Sequence, residues 1–380
     1  MQVPTLPVSD EELARTAHHD RGQKLVRRDA WEDLSQAIRK SDAAQRTTPG
    51  GEPAALLLAE GARNDVVAAA EDALYDRVIP DPDAMRAFSG NLRDMPDDYP
   101  SAVIIALAHL EIAAVWQTCH ELHDPNVVSG HIAYHLSEAT DILTPLEPTA
   151  SDAPSFRAAL ARWAVATRQP AARLCEHYEA LIALEPAAHR HFRAFGRHLL
   201  MLPDGGPAAI EVSARRMAVQ AENDWGAGGY AWVYLDALAL DAATLNLIDP
   251  GLFIEGLNDI LARTTDQHVI NVLAAFCAIT MRPRKDLPAL PHATDARAQI
   301  HECIDPILRH HLSELHPLIW SQALLAPGLT RRLPARRALI SKGRQTALRV
   351  IAARLARDIA AHGAITLSPS GLQHSSSPER

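Results

Sequence analysis

The amino-acid sequence predicts an all-α protein, an array of antiparallel helix hairpins with a capping helix at its C-terminal end. Three observations carry that expectation. Hydrophobic residues make up 47% of the chain, with Ala and Leu abundant, while aromatics reach only 5%, a balance that favours helix over sheet. Apolar residues recur on a helical period, most clearly at Phe156, Ala159, Leu160 and Trp163, which fall at i, i+3, i+4 and i+7 and share one face. Breaks rich in Pro, Gly and Asp separate the periodic stretches, and short connections force consecutive helices to lie antiparallel.

Residues 9–40 read as polar helices anchored by Trp31 and Leu34, and Thr47–Pro53 as a loop. Residues 54–75 read as a helix, with Leu57, Val66, Val67 and Leu74 spaced through an Ala-rich run. Pro80–Asp83 and Pro96–Pro100 are turns with strong breakers. Residues 101–123 form a helix that is apolar almost all round, so neighbours must cover more than one of its sides. His109 and Glu111 interrupt its apolar stretch, Ala102–Trp116, which marks a buried helix and not a membrane span of about 18 or more apolar residues. Asp124, Pro125 and Asn126 stop it, and a second helix runs over about 127–145.

Asp152, as N-cap, and Pro154, in the first turn, open the helix through Trp163. A break at Gln169–Pro170 starts its partner, where Leu174, Tyr178 and Leu181 repeat the face; a third helix follows with Phe192, Phe195 and Leu199. Two further faces are Phe253, Leu257, Ile260 and Leu261, and Val269, Leu273, Phe276 and Cys277. Between Trp225 and Trp232 a Gly cluster predicts a tight inter-helix turn with close backbone approach. Arg331–Arg357 holds nine basic residues and no acidic one, with Leu348, Ile351, Leu355 and Ile359 as an apolar stripe and Arg349, Arg354 and Arg357 facing away. Taking those nine positive charges from the net −9 leaves −18 on the rest of the chain. Docking of this helix as an intramolecular cap on the last apolar face is therefore electrostatically sensible. The tail, Ser- and Pro-rich from Ser368, reads as disordered. The resulting organisation is an N-terminal helical region (1–100), a helical-repeat core (101–328), the basic cap (329–364) and the tail (365–380).

The run Leu184-Glu185-Pro186-Ala187-Ala188-His189-Arg190-His191-Phe192-Arg193-Ala194-Phe195-Gly196 resembles the junction between two tetratricopeptide repeats. In that family a Pro closes one hairpin, an aromatic opens the next, and an apolar-Gly pair follows one turn later; Pro186, Phe192, Phe195 and Gly196 stand at those spacings. Pro cannot continue the helix, the aromatic fills the gap between hairpins and Gly lets the helices touch. Tyr178 and Leu181 match the packing positions of the second helix. The resemblance covers about 152–200, and the turn at Gln169–Pro170 is about two residues shorter than the family's unit of roughly 34.

Charge and motifs exclude several function classes. A net charge of −9 argues against a general affinity for nucleic acid or anionic membrane. Cys119, Cys175, Cys277 and Cys303 are widely separated, with no CxxC pair, and read as reduced thiols of a cytoplasmic protein. The acidic stretch Met1–Asp20 has no apolar core of a secretory signal. GxSxG, a Walker-type loop and GxGxxG are all missing.

One cluster has the composition of a site. His109, Trp116, His120 and His123 project along one helix, and His131, His135 and Glu138 fall at i, i+4 and i+7 on the next. A hairpin across Asp124–Gly130 would bring His120 and His123 close to His131. With His135 and Glu138 they would suit Zn²⁺ or Fe²⁺, which take nitrogen and carboxylate ligands; Cys119 and Glu121 are adjacent candidates. Against this, His120-Glu121-Leu122-His123 is one residue short of HExxH, and packing or groove histidines are the default. The primary expectation, by analogy with stacked hairpins, is a scaffold or adaptor without a cofactor that binds a protein or peptide partner in its groove. His189, Arg190, Arg193 and Arg197 would line that groove, with Arg193 and Arg197 placed to hold a carboxylate. A metal-binding protein or metal-dependent enzyme using the His/Glu cluster, and a nucleic-acid-associated protein using the basic helix, are the two alternatives.

Overall fold

The computed structural model describes residues 3–283, 290–325, 334–362, 364–368 and 371–375. Among the described residues the chain is all-α apart from one C-terminal hairpin, and it divides into two compact units, Leu13–Gly205 and Met1–Glu12 with Gly206–Arg380. One division falls at Gly205, where a Gly pair separates helices.

The Leu13–Gly205 unit holds most of α1 (Asp10–Val26), then α2 (Trp31–Ala43), α3 (Ala54–Tyr75), α4 (Pro82–Phe88), α5 (Gly90–Asp94), α6 (Tyr99–Thr118), α7 (Pro125–Leu143), α8 (Glu147–Ala150), α9 (Pro154–Ala166), α10 (Ala171–Leu184) and α11 (His189–Leu199). Helix α6 is its axis. Asp98 caps it, accepting from the Ser101 amide at 3.0 Å, and every residue from Pro100 to Leu110 is buried. Helices α2, α3, α7 and α9 surround it. Among the described residues it is the one helix long and apolar enough to cross a membrane, yet 78% of that stretch is covered inside the fold, as an all-round apolar helix requires. Its one carboxylate, Glu111, accepts from Arg63 of α3 at 2.7 and 2.9 Å and pairs with Arg162 of α9 at 3.1 Å.

Helices α6 and α7 form the predicted hairpin, joined by a short 3₁₀ turn, His120–Leu122. Asp124 caps α7, accepting from the Asn126 and Val127 amides. The start of α9 differs from the expectation. Its N-cap position is Ala153, not Asp152, and no local side chain caps it. Instead Asp42 of α2, buried in the core, accepts from the Ser155 amide at 3.2 Å and hydroxyl at 2.6 Å, and from Tyr99 at 3.0 Å. A tertiary carboxylate satisfies first-turn N–H groups as well as a local one does. From α9 to α11 the predicted faces are buried except for the half-buried Trp163, and Tyr178 stacks on Phe195 with centroids 4.8 Å apart.

The second unit contains α12 (Pro207–Gln220), α13 (Glu222–Trp225), α14 (Gly228–Leu240), α15 (Pro250–Arg263), α16 (Gln267–Ala275), α17 (Pro291–Glu302), α18 (Ile304–His310), α19 (Pro317–Gln322), α20 (Arg336–Arg354) and α21 (Ala356–His362). The N-terminal strand segment joins it through Leu6 N–H to Leu315 O, 2.9 Å, and Leu315 N–H to Pro4 O, 2.8 Å. The Gly cluster is a packed turn as expected: a Cβ at Gly229 would stand 2.5 Å from the Met217 carbonyl oxygen. After α16 the chain makes one π-helical turn, Phe276–Thr280. Its carbonyls at Cys277 and Thr280 accept from His301 Nδ1 and Arg297 Nη1 of α17, each at 2.7 Å. Asn271, fully buried, uses both ends of its amide. It donates to Gln267 O and Glu314 O and accepts from the His316 amide and Trp320 Nε1, all within 3.0 Å.

Helix α20 docks on α19 within this unit. Its buried face is Leu339, Gly343, Ala347 and Ile351, while Leu348 and Ile359 of the predicted stripe are only half-buried. A Cβ at Gly343 would lie 1.8 Å from the Pro317 carbonyl oxygen, so backbone meets backbone there and rotates the helix from the predicted stripe. Arg354, expected to face away, turns inward to Glu302 at 2.8 Å and Asp305 at 3.4 Å. The tail is corrected too. Ala364–Ser368 and Gly371–Ser375 pair as antiparallel strands β1 and β2, with Ile365 and Leu367 fully buried. Two buried apolar side chains on one strand face offset ordering entropy that composition alone charged against the segment. Residues 376–380 lie outside the described residues.

Candidate functional site

A cavity of about 910 Å³ opens between the C-terminal half of α3, the Val78–Asp81 loop, α4, and the α6–α7 hairpin. Its position follows from local sequence. Helix α3 ends at Tyr75, and Arg77 adopts φ +62°. The chain then runs through Val78-Ile79-Pro80, and Asp81 restarts a helix by accepting from the Asp83 amide at 2.9 Å. Small residues keep the space empty. Ala69, Ala70 and Ala73 of α3 face Gly130 of α7 across it, and a Cβ added at Gly130 would meet nothing within 4 Å.

The walls are apolar, with Val66, Met85, Ile112 and Val127 among them. The rim is apolar as well: Val78, Ile79 and Tyr134 line the opening and remain 57%, 53% and 51% exposed. Polar groups are few. Asp81 and Arg86 stand at α4, Asn126 at the start of α7, and His131 and His135 on α7.

The predicted histidine cluster borders this cavity, but its members gather around aromatic rings and each other. His131 lies flat on Trp116, with centroids 4.5 Å apart and planes at 5°; His123 meets the same indole edge-on at 5.1 Å. His123 Nε2 donates to Leu74 O at 2.9 Å, fastening the hairpin to the end of α3. His120 points to solvent, its Nδ1 against Gln117 O. His109 and His135 share one hydrogen bond, Nδ1 to Nδ1 at 2.9 Å, in which one ring donates and the other accepts. Burial drives both imidazoles down, His109 to about 3 and His135 to about 4, and each is lowered further by a neighbouring imidazole. Burial also lowers His131. The pair is therefore neutral at pH 7. Glu138 is half-buried one turn beyond, where its charge, after burial, raises the Tyr134 phenol. Among the described residues no three His, Cys, Asp or Glu side chains are grouped to hold a metal ion.

The four residues expected to line a groove are split. His189 is buried beneath the loop at Gly51, where an added Cβ would come within 2.6 Å of its ring. Arg190 pairs with Glu52, which also takes Arg15 at 3.1 Å. Arg193 is half-buried and Arg197 exposed. The helix opens into a packed corner because Pro186 turns the chain there, so its first turn faces the Thr48–Glu52 loop. Sequence reasoning placed His120 and His123 close to His131; His123 and His131 do meet, across Trp116, while His120 is exposed, and the α3 and loop walls were missed. The legible signal was Val78-Ile79, two β-branched apolar residues set among turn breakers.

No protein-family model matches the chain, and neither the curated proteins nor the solved structures contain a significant match to it.

Proposed function

We infer that this protein is an interaction module whose working surface is the α3–α4–α6–α7 cavity, which receives the apolar side of a peptide or short helix from a protein partner. The observation that carries this reading is the rim. A site built for a small molecule encloses its large apolar side chains, whereas Val78, Ile79 and Tyr134 stay more than half exposed around an apolar cavity of about 910 Å³. Contiguous exposed apolar surface around a concave centre is the signature of a surface that another protein covers. Tyr134 supplies an amphipathic anchor at the edge, and Asp81 and Arg86 can fix the register of a polar flank. In this reading residues 154–199 are hairpin units of the tetratricopeptide kind, supported by the Tyr178–Phe195 stack and the Pro186 boundary. The docking surface is the cavity and not the first turn of α11.

The test is affinity capture with the full chain, its Val78→Glu/Ile79→Glu variant and, as control, Val219→Glu, a 76%-exposed position on α12. Partners bound by the wild type and the control and lost with the double variant support the reading. An unchanged partner set across all three proteins overturns it.

A further inference from the structure

The second unit carries a charged surface that its own packing does not use. From Leu315 to Arg357 the sequence holds no Asp or Glu. Within this stretch, α20 spends its apolar face on α19 and two of its arginines in ion pairs, Arg336 with Glu12 and Arg354 with Glu302 and Asp305. Arg337, Lys342, Arg344 and Arg349 are exposed and have no acidic partner among the described residues. At 3.6 residues per turn they form two rows. Arg337 and Arg344 lie within about 20° of each other around the axis, and Lys342 and Arg349 form a second row about 140° away. Within each row the cations stand about 10 Å apart along the helix. The exposed residues in the arc between the rows are small or polar, Ala338, Ser341 and Gln345, and Leu348 there is half-buried.

This pattern discriminates between polyanions. No exposed large apolar side chain of α20 is available to insert into a bilayer or to anchor a protein interface. No aromatic residue follows Trp320, so the segment offers no stacking platform for single-stranded bases. What remains is charge geometry: a helix held by one face, with cation rows on both flanks of the other. The major groove of B-form DNA, about 12 Å wide, admits such a helix and has phosphates along both walls. The deep, narrow major groove of an RNA duplex does not admit it. Arginine, in three of the four positions, suits phosphate contact.

We propose that the exposed face of α20 binds the phosphate backbone of duplex DNA without sequence preference, through Arg337, Lys342, Arg344 and Arg349. The net charge of −9 sets the chain as a whole against such binding, and the concentration of cations on one acid-free helix overrides it locally.

The experiment is fluorescence anisotropy of the full chain with two 20-bp DNA duplexes of unrelated sequence, at 50 and 200 mM salt. Four phosphate contacts give a slope of about −3.6 for log K against log salt, hence about 150-fold weaker binding at the higher salt. Both duplexes should behave alike. The Arg337→Gln/Lys342→Gln/Arg344→Gln/Arg349→Gln variant, changed only at exposed positions, should lose binding at least 100-fold with an unchanged melting temperature. The Lys24→Gln/Arg28→Gln variant should bind as the wild type does. No binding at 50 mM salt, binding that survives the fourfold variant, or tighter binding to an RNA duplex, to phosphatidylserine vesicles or to polyglutamate each overturns the proposal.

Discussion

Lowering the pH from 7 to 5 should destabilise this protein through the His109–His135 pair. Both rings are buried on the facing sides of α6 and α7, 1% and 7% exposed, and burial holds them at about 3 and about 4, far below the 6.5 of a free imidazole. The unfolded chain therefore binds more protons than the folded one below about pH 6.5, so stability falls with pH in that window until the folded rings themselves titrate near pH 4. At pH 5 each histidine lies 1.5 pH units below its unfolded value, which at 1.36 kcal/mol per unit is about 2 kcal/mol, and about 4 kcal/mol for the pair. That is a large part of a typical folding free energy of roughly 5–15 kcal/mol. Urea titrations of the wild type and of His135→Gln at pH 7 and pH 5 measure it. Glutamine keeps a hydrogen-bonding partner for His109 Nδ1 and does not titrate. The stability lost between the two pH values should therefore be about 2 kcal/mol smaller in the variant. The exposed His310→Gln control should lose as much as the wild type. Equal losses in wild type and His135→Gln would refute the argument that burial keeps this pair neutral.

Two further outcomes follow from the packing. Asp42 is raised from 3.8 to about 6, chiefly by burial and against its hydrogen bonds from Ser155 and Tyr99. Its ionisation therefore costs the fold up to about 3 kcal/mol as pH rises from 4 to 7, and Asp42→Asn should remove that component from the difference between urea titrations at pH 4.5 and 7. Gly343→Ala would place a Cβ 1.8 Å from the Pro317 carbonyl oxygen. Despite a helix-propensity gain of about 1 kcal/mol, thermal melting should show a net loss of about 1–3 kcal/mol from overpacking, and a gain would mean that α20 does not dock in this register.

Much of the local structure was legible because it depends on neighbours in sequence. The 3.6-residue period at Phe156–Trp163, the breakers at Asp124–Asn126 and the Gly cluster before Trp232 each specify an element by backbone preference and an apolar stripe, and α9, α7 and the α13–α14 turn lie where those signals put them. The histidine cluster was legible as a neighbourhood, since residues on facing sides of a short-looped hairpin must meet. Its chemistry was not. Whether His131 meets a metal, water or the Trp116 ring depends on rotamers and on α3, which supplies the Leu74 carbonyl for His123 from 49 residues away.

The sequence by itself determined that this chain is helical, where helices such as α3, α7 and α9 begin and end, that α6 must be enclosed, and that the C-terminal segment carries an acid-free run of cations. Tertiary structure alone decided what caps α9, which face of α20 turns inward, that the 364–375 segment folds as a hairpin, and that an apolar cavity remains beside α7. The physical reason is range. Helix propensity, periodicity and capping act over four to seven residues and can be read along the chain. Asp42 with Ser155, Gly343 with Pro317, and Ala73 facing Gly130 are choices among many sterically possible partners. Only the packing of whole helices selects them.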